Sequence, residues 1–185
     1  MLLSRIRQKM RDYQPRELEC LTGTRASVML PLFEKENGLH IVLTKRTDEM
    51  KVHPGEISFP GGMYEEEDGD TMKTALRECR EEIGVNTEDA EIVGRLDDMP
   101  TLTGFVITPY VGVIPYPYAF TINQREVAYL IYLPFEHIEK SHLVQEQMEY
   151  RGKVETIDAF YYNGERIWGA TCRILLKLKR IVHDE

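Results

Sequence analysis

The sequence predicts an α/β sandwich built around a mixed β-sheet. Two patterns indicate this fold class: apolar segments of strand length recur along most of the chain, and a few amphipathic helical stripes lie between them. The composition, 42% hydrophobic and 29% charged among 185 residues, is that of one globular domain large enough for a full core. The sequence contains neither an internal repeat nor a low-complexity linker. We therefore expect a single domain over residues 1–185.

The first predicted element is a short amphipathic helix, within an N-terminal extension over residues 1–22. Its apolar residues recur at helical spacing: Leu2, Leu3, Ile6 and Met10. Strands are predicted next, because seven segments have strand-like length and composition: ASVMLPLF, LHIVLT, EISF, AEIVGRL, VITPYVGVI, EVAYLIYL and IDAFYY. Asn163 and Gly164 then predict a tight hairpin turn. Residues 168–183 predict a C-terminal helix, since their apolar positions keep helical spacing: Ile174, Leu175, Leu178, Ile181 and Val182.

Another helix is predicted within the acidic segment GGMYEEEDGDTMKTALRECREEIGV, which runs from Gly61 to Val85. Apolar residues recur in it at i, i+3, i+4, i+7 and i+11: Met72, Ala75, Leu76, Cys79 and Ile83. Asp70 is a favourable N-cap before this stripe, and Gly84 is a favourable stop after it. The segment is therefore expected to be a loop followed by a helix.

Three carboxylates of this helix are predicted to converge on one of its edges. At 100° per residue, Glu78 and Glu82 lie one turn apart beside the apolar stripe, and Glu81 lies on the same flank. Most charge runs are solvated faces. These side chains instead border the stripe, so we expect them to be half buried, and half-buried like charges need a cation. Oxygen ligands without a His or Cys cluster select Mg²⁺ or Mn²⁺, the cofactor that we expect.

Charge and cysteine content narrow the class of protein. The formal net charge of -8 argues against a general nucleic-acid binder held by phosphate contacts. The N-terminus MLLSRIRQKMRDY lacks the apolar core of a signal peptide, and no later run approaches membrane-spanning length. We therefore expect a cytoplasmic protein without a membrane partner. Cys20, Cys79 and Cys172 are an odd number without CxxC spacing, and we interpret them as reduced thiols.

The acidic segment resembles the Nudix box, whose general form is G-x5-E-x7-R-E-U-x-E-E-x-G-U with U aliphatic. Residues 77–85 correspond to the core REUxEExGU, with Cys79 in the aliphatic position. Asp68 stands at the place of the first Glu, with a spacer of eight rather than seven residues, so its own role is left open. The resemblance implies the Nudix fold, an α/β/α sandwich with a mixed β-sheet, and a loop-helix-loop Nudix box at residues 61–85.

A second motif lies just upstream of the box. LTKRTDEMKVHPGEISFPGG, residues 43–62, looks like the extra motif of the coenzyme A diphosphatase branch of Nudix enzymes, LLTxR[SA]x3Rx3Gx3FPGG. Lys51 stands where that motif has Arg, and it keeps the charge without the two-pronged guanidinium. The late segment IWGATCRILL also looks like this branch, so the resemblance extends from Ser27 to Leu176.

The resemblance implies hydrolysis of a phosphoanhydride by a metal-activated water, with Glu78 and Glu82 as metal ligands. It implies that Arg77 anchors the loop to the helix through a salt bridge. Glu81 is one candidate for the general base, and Glu126, which opens a predicted strand, is the other.

Substrate contacts are expected from both motifs. Arg46 and Lys51 are candidates for binding substrate phosphates. Gly61 and Gly62 would let the backbone approach the substrate or the metal closely. Three aromatic residues could line an adenine or pantetheine pocket, or could equally belong to the core: Tyr116, Tyr118 and Phe120.

Three functions remain open at this point. The first is a hydrolase of coenzyme A or acyl-coenzyme A, giving 3′,5′-ADP and phosphopantetheine or its acylated form. The second is a hydrolase of ADP-ribose or nucleoside triphosphates, which would not need the upstream motif. The third is a Nudix-fold binding module without catalysis, which is the weakest because a module of that kind would be expected to lose carboxylates. We expect a small-molecule nucleotide and no nucleic acid as partner, and we leave a homodimer open.

Overall fold

The computed structural model describes residues 1–19, 24–35, 38–101, 104–150 and 152–184, so Cys20 lies outside the described residues. Eight strands form the main sheet: β1 (Thr24–Lys35), β2 (Gly38–Arg46), β3 (Ile57–Ser58), β4 (Gly61–Met63), β5 (Glu91–Arg95), β6 (Met99–Pro100), β7 (Phe105–Val113) and β8 (Val127–Pro134). Three more form a second sheet: β9 (Val144–Tyr150), β10 (Lys153–Tyr162) and β11 (Glu165–Trp168). Four helices accompany them: α1 (Leu2–Asp12), α2 (Thr71–Ile83), α3 (Phe135–Lys140) and α4 (Gly169–His183).

The main sheet is mixed, as predicted, because β1 pairs with β7 in parallel while its other pairings are antiparallel. Strand β7 occupies one edge of β1 along most of its length. The opposite edge of β1 is shared, since β2 pairs near its C-terminal end and β4 near its N-terminal end. Strand β3 pairs with β2 at the level where β1 and β2 have separated. The segment from β3 to β4 is thus inserted between two diverging strands.

Helices cover both faces of the main sheet, and two apolar cores lie between the layers. On β1, Leu30 and Leu32 belong to the core shared with α1, α3 and α4, while Met29 and Phe33 belong to the core shared with α2. This alternation follows from the two-residue period of a strand. The α/β/α sandwich of the Nudix fold is confirmed.

Helix α2 begins and ends where its local signals predict. The Asp70 side chain accepts a hydrogen bond from the Lys73 backbone N–H at 2.8 Å. Gly84 adopts the left-handed conformation at φ 73° that a C-terminal stop requires. Met72 does not join the buried stripe, since it is 37% exposed. Thr74 is buried instead, and its hydroxyl donates to Asp68 at 2.8 Å.

The second sheet contains the predicted hairpin turn. Asn163 and Gly164 have positive φ angles of 49° and 83°, as a tight two-residue turn between β10 and β11 requires. The sequence patterns did not predict β9, β11 or α3, nor β4 and β6 of the main sheet, and β4 lies in the segment expected to be a loop. Strand β9 pairs only with β10 among the described strands, so its formation depends on that neighbour.

Two adjacent acidic residues tie the N-terminal segment to the body of the protein. Asp97 accepts hydrogen bonds from the Tyr13 hydroxyl at 2.6 Å and from the Arg16 backbone N–H at 2.8 Å, and it pairs with Lys177 of α4 at 2.8 Å. The Asp98 side chain, which is fully buried, accepts from the Leu18 backbone N–H at 2.9 Å. In the part of the chain that the structure describes, no helix has the length and apolarity needed to cross a membrane.

Candidate functional site

The candidate site lies where α2 passes over the inserted strand β4. Glu82 is 3% exposed, although it is ionisable, and the Glu78 side chain is 14% exposed. Both side chains face the two glycines of β4, Gly61 and Gly62. A Cβ atom added to Gly62 would meet Glu78 Oε1 at 2.3 Å, so only glycine leaves room for that carboxylate at its present position.

Gly61 is packed just as closely, but its near neighbours include backbone atoms. A Cβ atom there would meet the Ser27 carbonyl oxygen at 2.4 Å and Val28 Cα at 2.7 Å, both on β1. Gly61 therefore allows β4 to pair closely with β1, and Gly62 allows Glu78 to lie against β4. These close contacts are with protein groups, and the approach of Gly61 and Gly62 to a substrate or metal stays a prediction.

Glu82 carries the strongest electrostatic signal of the site. Burial raises the pKa of its carboxyl to about 8, against a lowering influence from the Arg46 guanidinium. The carboxylates of Glu78 and Glu126 raise the pKa further, and a backbone hydrogen bond from Gly61 lowers it. Glu82 Oε2 is buried and has no hydrogen-bond partner among the described residues. An unsatisfied, buried acceptor of this kind is costly and indicates a missing electrophilic partner.

Glu78 lies near Glu82 and is less deeply buried. Burial is the main cause that raises the pKa of its carboxyl, and Arg77 is the main influence that lowers it. Glu81 and Glu126 both raise the pKa of Glu78. The structure therefore brings Glu78, Glu82 and Glu126 within electrostatic reach of one another.

Arg77 links helix α2 to the loop before it. Its guanidinium donates to both carboxylate oxygens of Asp68, at 2.8 and 3.1 Å, and to the Met63 carbonyl at 3.2 Å. It also donates to Glu78 at 2.8 Å and to Glu81 at 3.2 Å. Arg77 thus makes the loop-helix salt bridge that the resemblance implies and reaches the carboxylate edge as well.

Asp68 completes the loop side of this network. Hydrogen bonds from Arg77 lower the pKa of the Asp68 carboxyl to about 2, despite its burial. Its Oδ2 also accepts from the Thr74 hydroxyl at 2.8 Å and from the Glu65 backbone N–H at 3.1 Å. Asp68 is the last residue of a short 3-10 turn, Glu66–Asp68. Asp68 is therefore an anchor for Arg77 in this structure.

The two candidates for the general base lie in different surroundings. The Glu81 side chain is 57% exposed and turned toward Arg77, so it does not join the buried group. Glu126 is half-buried and directly precedes β8, where Arg46 of β2 pairs with Val127. Its Oε1 accepts a hydrogen bond from Asn123 Nδ2 at 3.0 Å. Sequence patterns did not single out Asn123, because only its contacts in three dimensions connect it to the site.

The two basic residues predicted to bind phosphate also differ in position. Arg46 ends β2 beside the carboxylates, and its Nε is buried without a hydrogen-bond partner among the described residues. Lys51 is exposed in the bend after β2 and makes no ion pair with any residue of the described ranges. Thr47 holds this bend to the Glu126 segment, since its backbone N–H donates to the Glu126 carbonyl at 2.9 Å.

The three predicted aromatic residues pack largely on other protein groups. Tyr116 stacks on the buried Phe33 ring at 4.9 Å between centroids and remains 45% exposed. The Tyr118 hydroxyl donates to Asp89 at 2.7 Å, and the Phe120 ring lies against the core under α2. Their role as packing residues is thus visible, and a role in binding stays a prediction.

The donor set is that of a hard divalent cation. Glu78 and Glu82 present carboxylate oxygens from successive turns of α2, and the unsatisfied Glu82 Oε2 supplies a free acceptor. Among the described residues, no three His, Cys, Asp or Glu side chains already converge as a complete metal cluster. Glu78 is engaged by Arg77 in this arrangement. The residues present fit a cation bound by two carboxylates, with water or substrate oxygens as the remaining ligands.

Sequence relatives cover nearly the whole chain. The family described as NUDIX domain matches residues 23–163. A protein of Enterobacter sp. (strain 638), named as the uncharacterized Nudix hydrolase NudL, is 33% identical over 161 residues, which cover 86% of this chain and 83% of that protein. The NudL protein of Yersinia enterocolitica serotype O:8 is 30% identical over 159 residues, covering 85% of this chain and 81% of that protein.

Solved structures share the fold at lower identity. A MutT/nudix family protein from Enterococcus faecalis has a TM-score of 0.56 at 16% identity, over 99% of this chain and 70% of that chain. The NUDIX domain of Shewanella oneidensis NrtR, complexed with ADP ribose, has a TM-score of 0.51 at 17% identity, over 70% and 80% of the respective chains. The extent of the family match and the identity to NudL together show that the chain belongs to the Nudix hydrolase family, whose members act on nucleoside diphosphate-linked substrates.

Proposed function

We propose that this protein is a Mg²⁺- or Mn²⁺-dependent hydrolase that cleaves coenzyme A or acyl-coenzyme A to 3′,5′-ADP and phosphopantetheine or its acylated form. The hydrolase part of the proposal is supported by the carboxylate pair of α2, in which Glu78 is half-buried, Glu82 is buried and a Glu82 oxygen has no partner among the described residues. A pair of this kind is unfavourable without a cation and suits one that binds diphosphate oxygens.

Each residue of the site has a definite task in this reaction. A bound divalent ion would screen the diphosphate charge and acidify a water molecule. Glu78 and Glu82 would hold that ion, and Arg77 would fix the Glu78 carboxylate from the side. The water oxygen bonds to one phosphorus while the anhydride P–O bond breaks, and the bridging oxygen leaves with the other phosphate. The proton that the water loses passes to a nearby carboxylate.

We propose Glu126 rather than Glu81 as the acceptor of that proton. Glu126 supports this role because it acts electrostatically on both Glu78 and Glu82 and is half-buried. Glu81 acts on Glu78 but is not among the groups that shift the pKa of Glu82, and Arg77 already engages it. The Glu81 carboxylate is thus occupied by Arg77, whereas the Glu126 carboxylate accepts from the neutral amide of Asn123.

The coenzyme A assignment is supported by the upstream motif and by Arg46. Arg46 brings a guanidinium next to the carboxylates, and its buried Nε has no hydrogen-bond partner among the described residues, so it would donate to a phosphate oxygen there. Coenzyme A carries a 3′-phosphate in addition to its diphosphate, so it offers more phosphate contacts than ADP-ribose. Lys51, exposed in the adjoining bend, would reach a phosphate at the rim.

ADP-ribose or a nucleoside triphosphate is the second candidate substrate. The observation that favours it is the exposed position of Lys51, which replaces an Arg of the coenzyme A motif and lacks a described partner that would hold it in place. The likeness to the NrtR domain concerns the fold alone. A binding module without catalysis is the third candidate, and the presence of Glu78, Glu81 and Glu82 argues against it.

A substrate panel tests the proposal. Coenzyme A, an acyl-coenzyme A, ADP-ribose, NADH and nucleoside triphosphates would be incubated with Mg²⁺ and with Mn²⁺, and the products identified by mass. We expect 3′,5′-ADP and phosphopantetheine, with turnover lost in Glu82→Gln and kept in Glu88→Gln, an exposed position beyond α2. A preference for ADP-ribose would overturn the coenzyme A assignment, and unchanged turnover in Glu82→Gln would overturn the metal site.

A further inference from the structure

Asn123 joins two elements of the candidate site through its backbone. Its N–H donates to the Glu82 carbonyl near the end of α2 at 2.9 Å. Its own carbonyl accepts from the backbone N–H groups of Glu126 at 3.0 Å and Val127 at 2.8 Å. The turn that carries Glu126 is thus fastened directly to the residue that carries the buried carboxylate.

The side chain of Asn123 makes a second connection within the same turn. Its Nδ2 donates to Glu126 Oε1 at 3.0 Å, and its Oδ1 accepts from the Arg125 backbone N–H at 3.2 Å. The first bond orients the carboxylate, and the second shapes the turn. One residue therefore sets both where the Glu126 segment lies and which way its carboxylate is held.

Orientation matters at this position because Glu126 faces two other carboxylates. Glu78 and Glu82 both interact electrostatically with it, and like charges turn a free side chain toward solvent. Arg77 binds Asp68, Glu78 and Glu81, and Arg46 acts on Glu82 electrostatically. The side-chain donor to the Glu126 carboxylate among the described residues is therefore the amide of Asn123. A neutral amide donor holds Glu126 without neutralising its charge.

We propose that Asn123 is a positioning residue that holds the Glu126 carboxylate toward Glu78 and Glu82, and so supports both the binding of the divalent ion and the proton transfer. This inference rests on the proposed function. Hydrogen-bond partners of this kind change metal affinity or activity by about 10- to 100-fold when they are removed. The backbone bonds of Asn123 do not depend on its side chain, so substitutions separate the two connections.

Two substitutions distinguish positioning from turn formation. Asn123→Ala removes both side-chain bonds, whereas Asn123→Ser keeps a hydroxyl that can cap the turn at Arg125 but is too short to reach Glu126. We expect both variants to bind Mn²⁺ about 10-fold more weakly, measured by electron paramagnetic resonance, and to lower kcat by about 10-fold with KM changed less. The melting temperature should fall more in Asn123→Ala than in Asn123→Ser.

Asn86→Ala is the matched control. Asn86 also donates through Nδ2 to an acidic side chain three residues later, Asp89, at 3.1 Å, but it lies outside the carboxylate group. Its Mn²⁺ affinity should equal that of the wild type. In a Glu126→Gln background, Asn123→Ala should cause little further loss of kcat, because the two residues act as one unit.

Several outcomes would overturn the assignment of Asn123. One is a Mn²⁺ affinity of Asn123→Ser equal to that of the wild type. Another is a loss of affinity and kcat in the two Asn123 variants that is proportional to their loss of melting temperature. A third is a loss of kcat in the double variant Asn123→Ala/Glu126→Gln equal to the sum of the two single effects in free energy. Absence of Mn²⁺ binding by the wild-type protein would overturn it as well. Because Mn²⁺ affinity is measured without substrate, it decides the role of Asn123 even if no compound of the panel is hydrolysed. The substrate panel tests the proposed hydrolase function, so the two proposals can fail independently.

Discussion

The carboxyl group of Glu82 is ionisable and buried, and its burial should make the folding stability of the metal-free protein depend on pH. The pKa of Glu82 is about 8 in the folded protein, because burial disfavours the charged form, against about 4.3 in an unfolded chain. The folded state therefore holds the proton more tightly. The resulting stabilisation is fully present below about pH 4 and is lost as the pH rises through 8.

The first prediction follows from that linkage. In excess chelator, the melting temperature of the wild type should decline between pH 5 and pH 8.5 more steeply than that of Glu82→Gln, which has no proton to lose. Thermal unfolding at several pH values measures the difference. Parallel curves for the two proteins would contradict the raised pKa of Glu82.

Arg46 supports a second prediction at the same scale. If its guanidinium binds the 3′-phosphate, Arg46→Ala should reduce turnover of coenzyme A more than turnover of dephospho-coenzyme A. A charge-assisted contact contributes about 1.5–3 kcal/mol, so the ratio of the two kcat/KM values should change about 10-fold or more. An equal decline with both substrates would assign Arg46 to the shared diphosphate instead.

The site was partly predictable from single residues. Spacing alone put Glu78 and Glu82 on one edge of a helix, and the structure places both against β4. Glu81 could not be separated from them in this way, because its 57% exposure and its ion pair with Arg77 depend on the three-dimensional structure. Asn123 gave no signal beyond that of a turn residue, since its partner on α2 is distant in sequence.

At the scale of elements, the junction between the loop and α2 depends on the pair of Asp68 and Arg77. Asp68→Asn should destabilise the fold by about 2–3 kcal/mol, because it removes charge-assisted hydrogen bonds from a buried carboxylate. The loss should be largest near neutral pH, since the pKa of Asp68, about 2, keeps it ionised there. Denaturant unfolding measures the effect.

Glu67→Gln is the control for this third prediction. It removes the same charge from the same 3-10 turn, but Glu67 is exposed. Its stability should remain within about 0.5 kcal/mol of the wild type. Equal stability of the Asp68 and Glu67 variants would show that the pair does not anchor the loop.

Elements with local signals were predictable, and elements that depend on partners were not. Helix α2 carries its own N-cap, apolar stripe and C-terminal glycine. Strand β9, VQEQMEY, has few apolar residues and owes its conformation to pairing with β10. Met72 was misassigned to the buried stripe because a hydrogen bond to Asp68 brings Thr74 into the interior instead. Tertiary contacts therefore decided the cases in which the sequence pattern failed.

At the scale of the whole molecule, Asp98 connects segments that are far apart in sequence. Its fully buried carboxylate binds Arg95 at 2.8 Å, the Thr108 hydroxyl at 2.8 Å and the Leu18 backbone N–H at 2.9 Å. Asp98→Asn should cost about 3–5 kcal/mol, because it leaves Arg95 without its buried partner. For a chain of this size the melting temperature should fall by roughly 10 °C.

The fourth prediction also separates folding from chemistry. Below its lowered melting temperature, Asp98→Asn should keep the kcat of the wild type, since Asp98 is not among the groups that affect Glu78 or Glu82. Asp12→Asn, at an exposed position on α1, is the comparison and should change neither property. A reduced kcat in folded Asp98→Asn would show that the contact between Asp98 and the N-terminal segment influences the carboxylates of Glu78 and Glu82.

Substitution of the two neighbouring glycines of β4 should have different consequences, because their neighbours differ. A methyl group at position 61 collides with the main chain of β1, so alanine there would force two strands apart. A methyl group at position 62 collides instead with the tip of a side chain, the Glu78 carboxylate, which can swing aside. If Glu78 holds the ion as proposed, alanine at 62 would abolish turnover while leaving the scaffold and the position of Arg46 unchanged. Such an inert form is suited to capturing an uncleaved substrate from a mixture of cell metabolites.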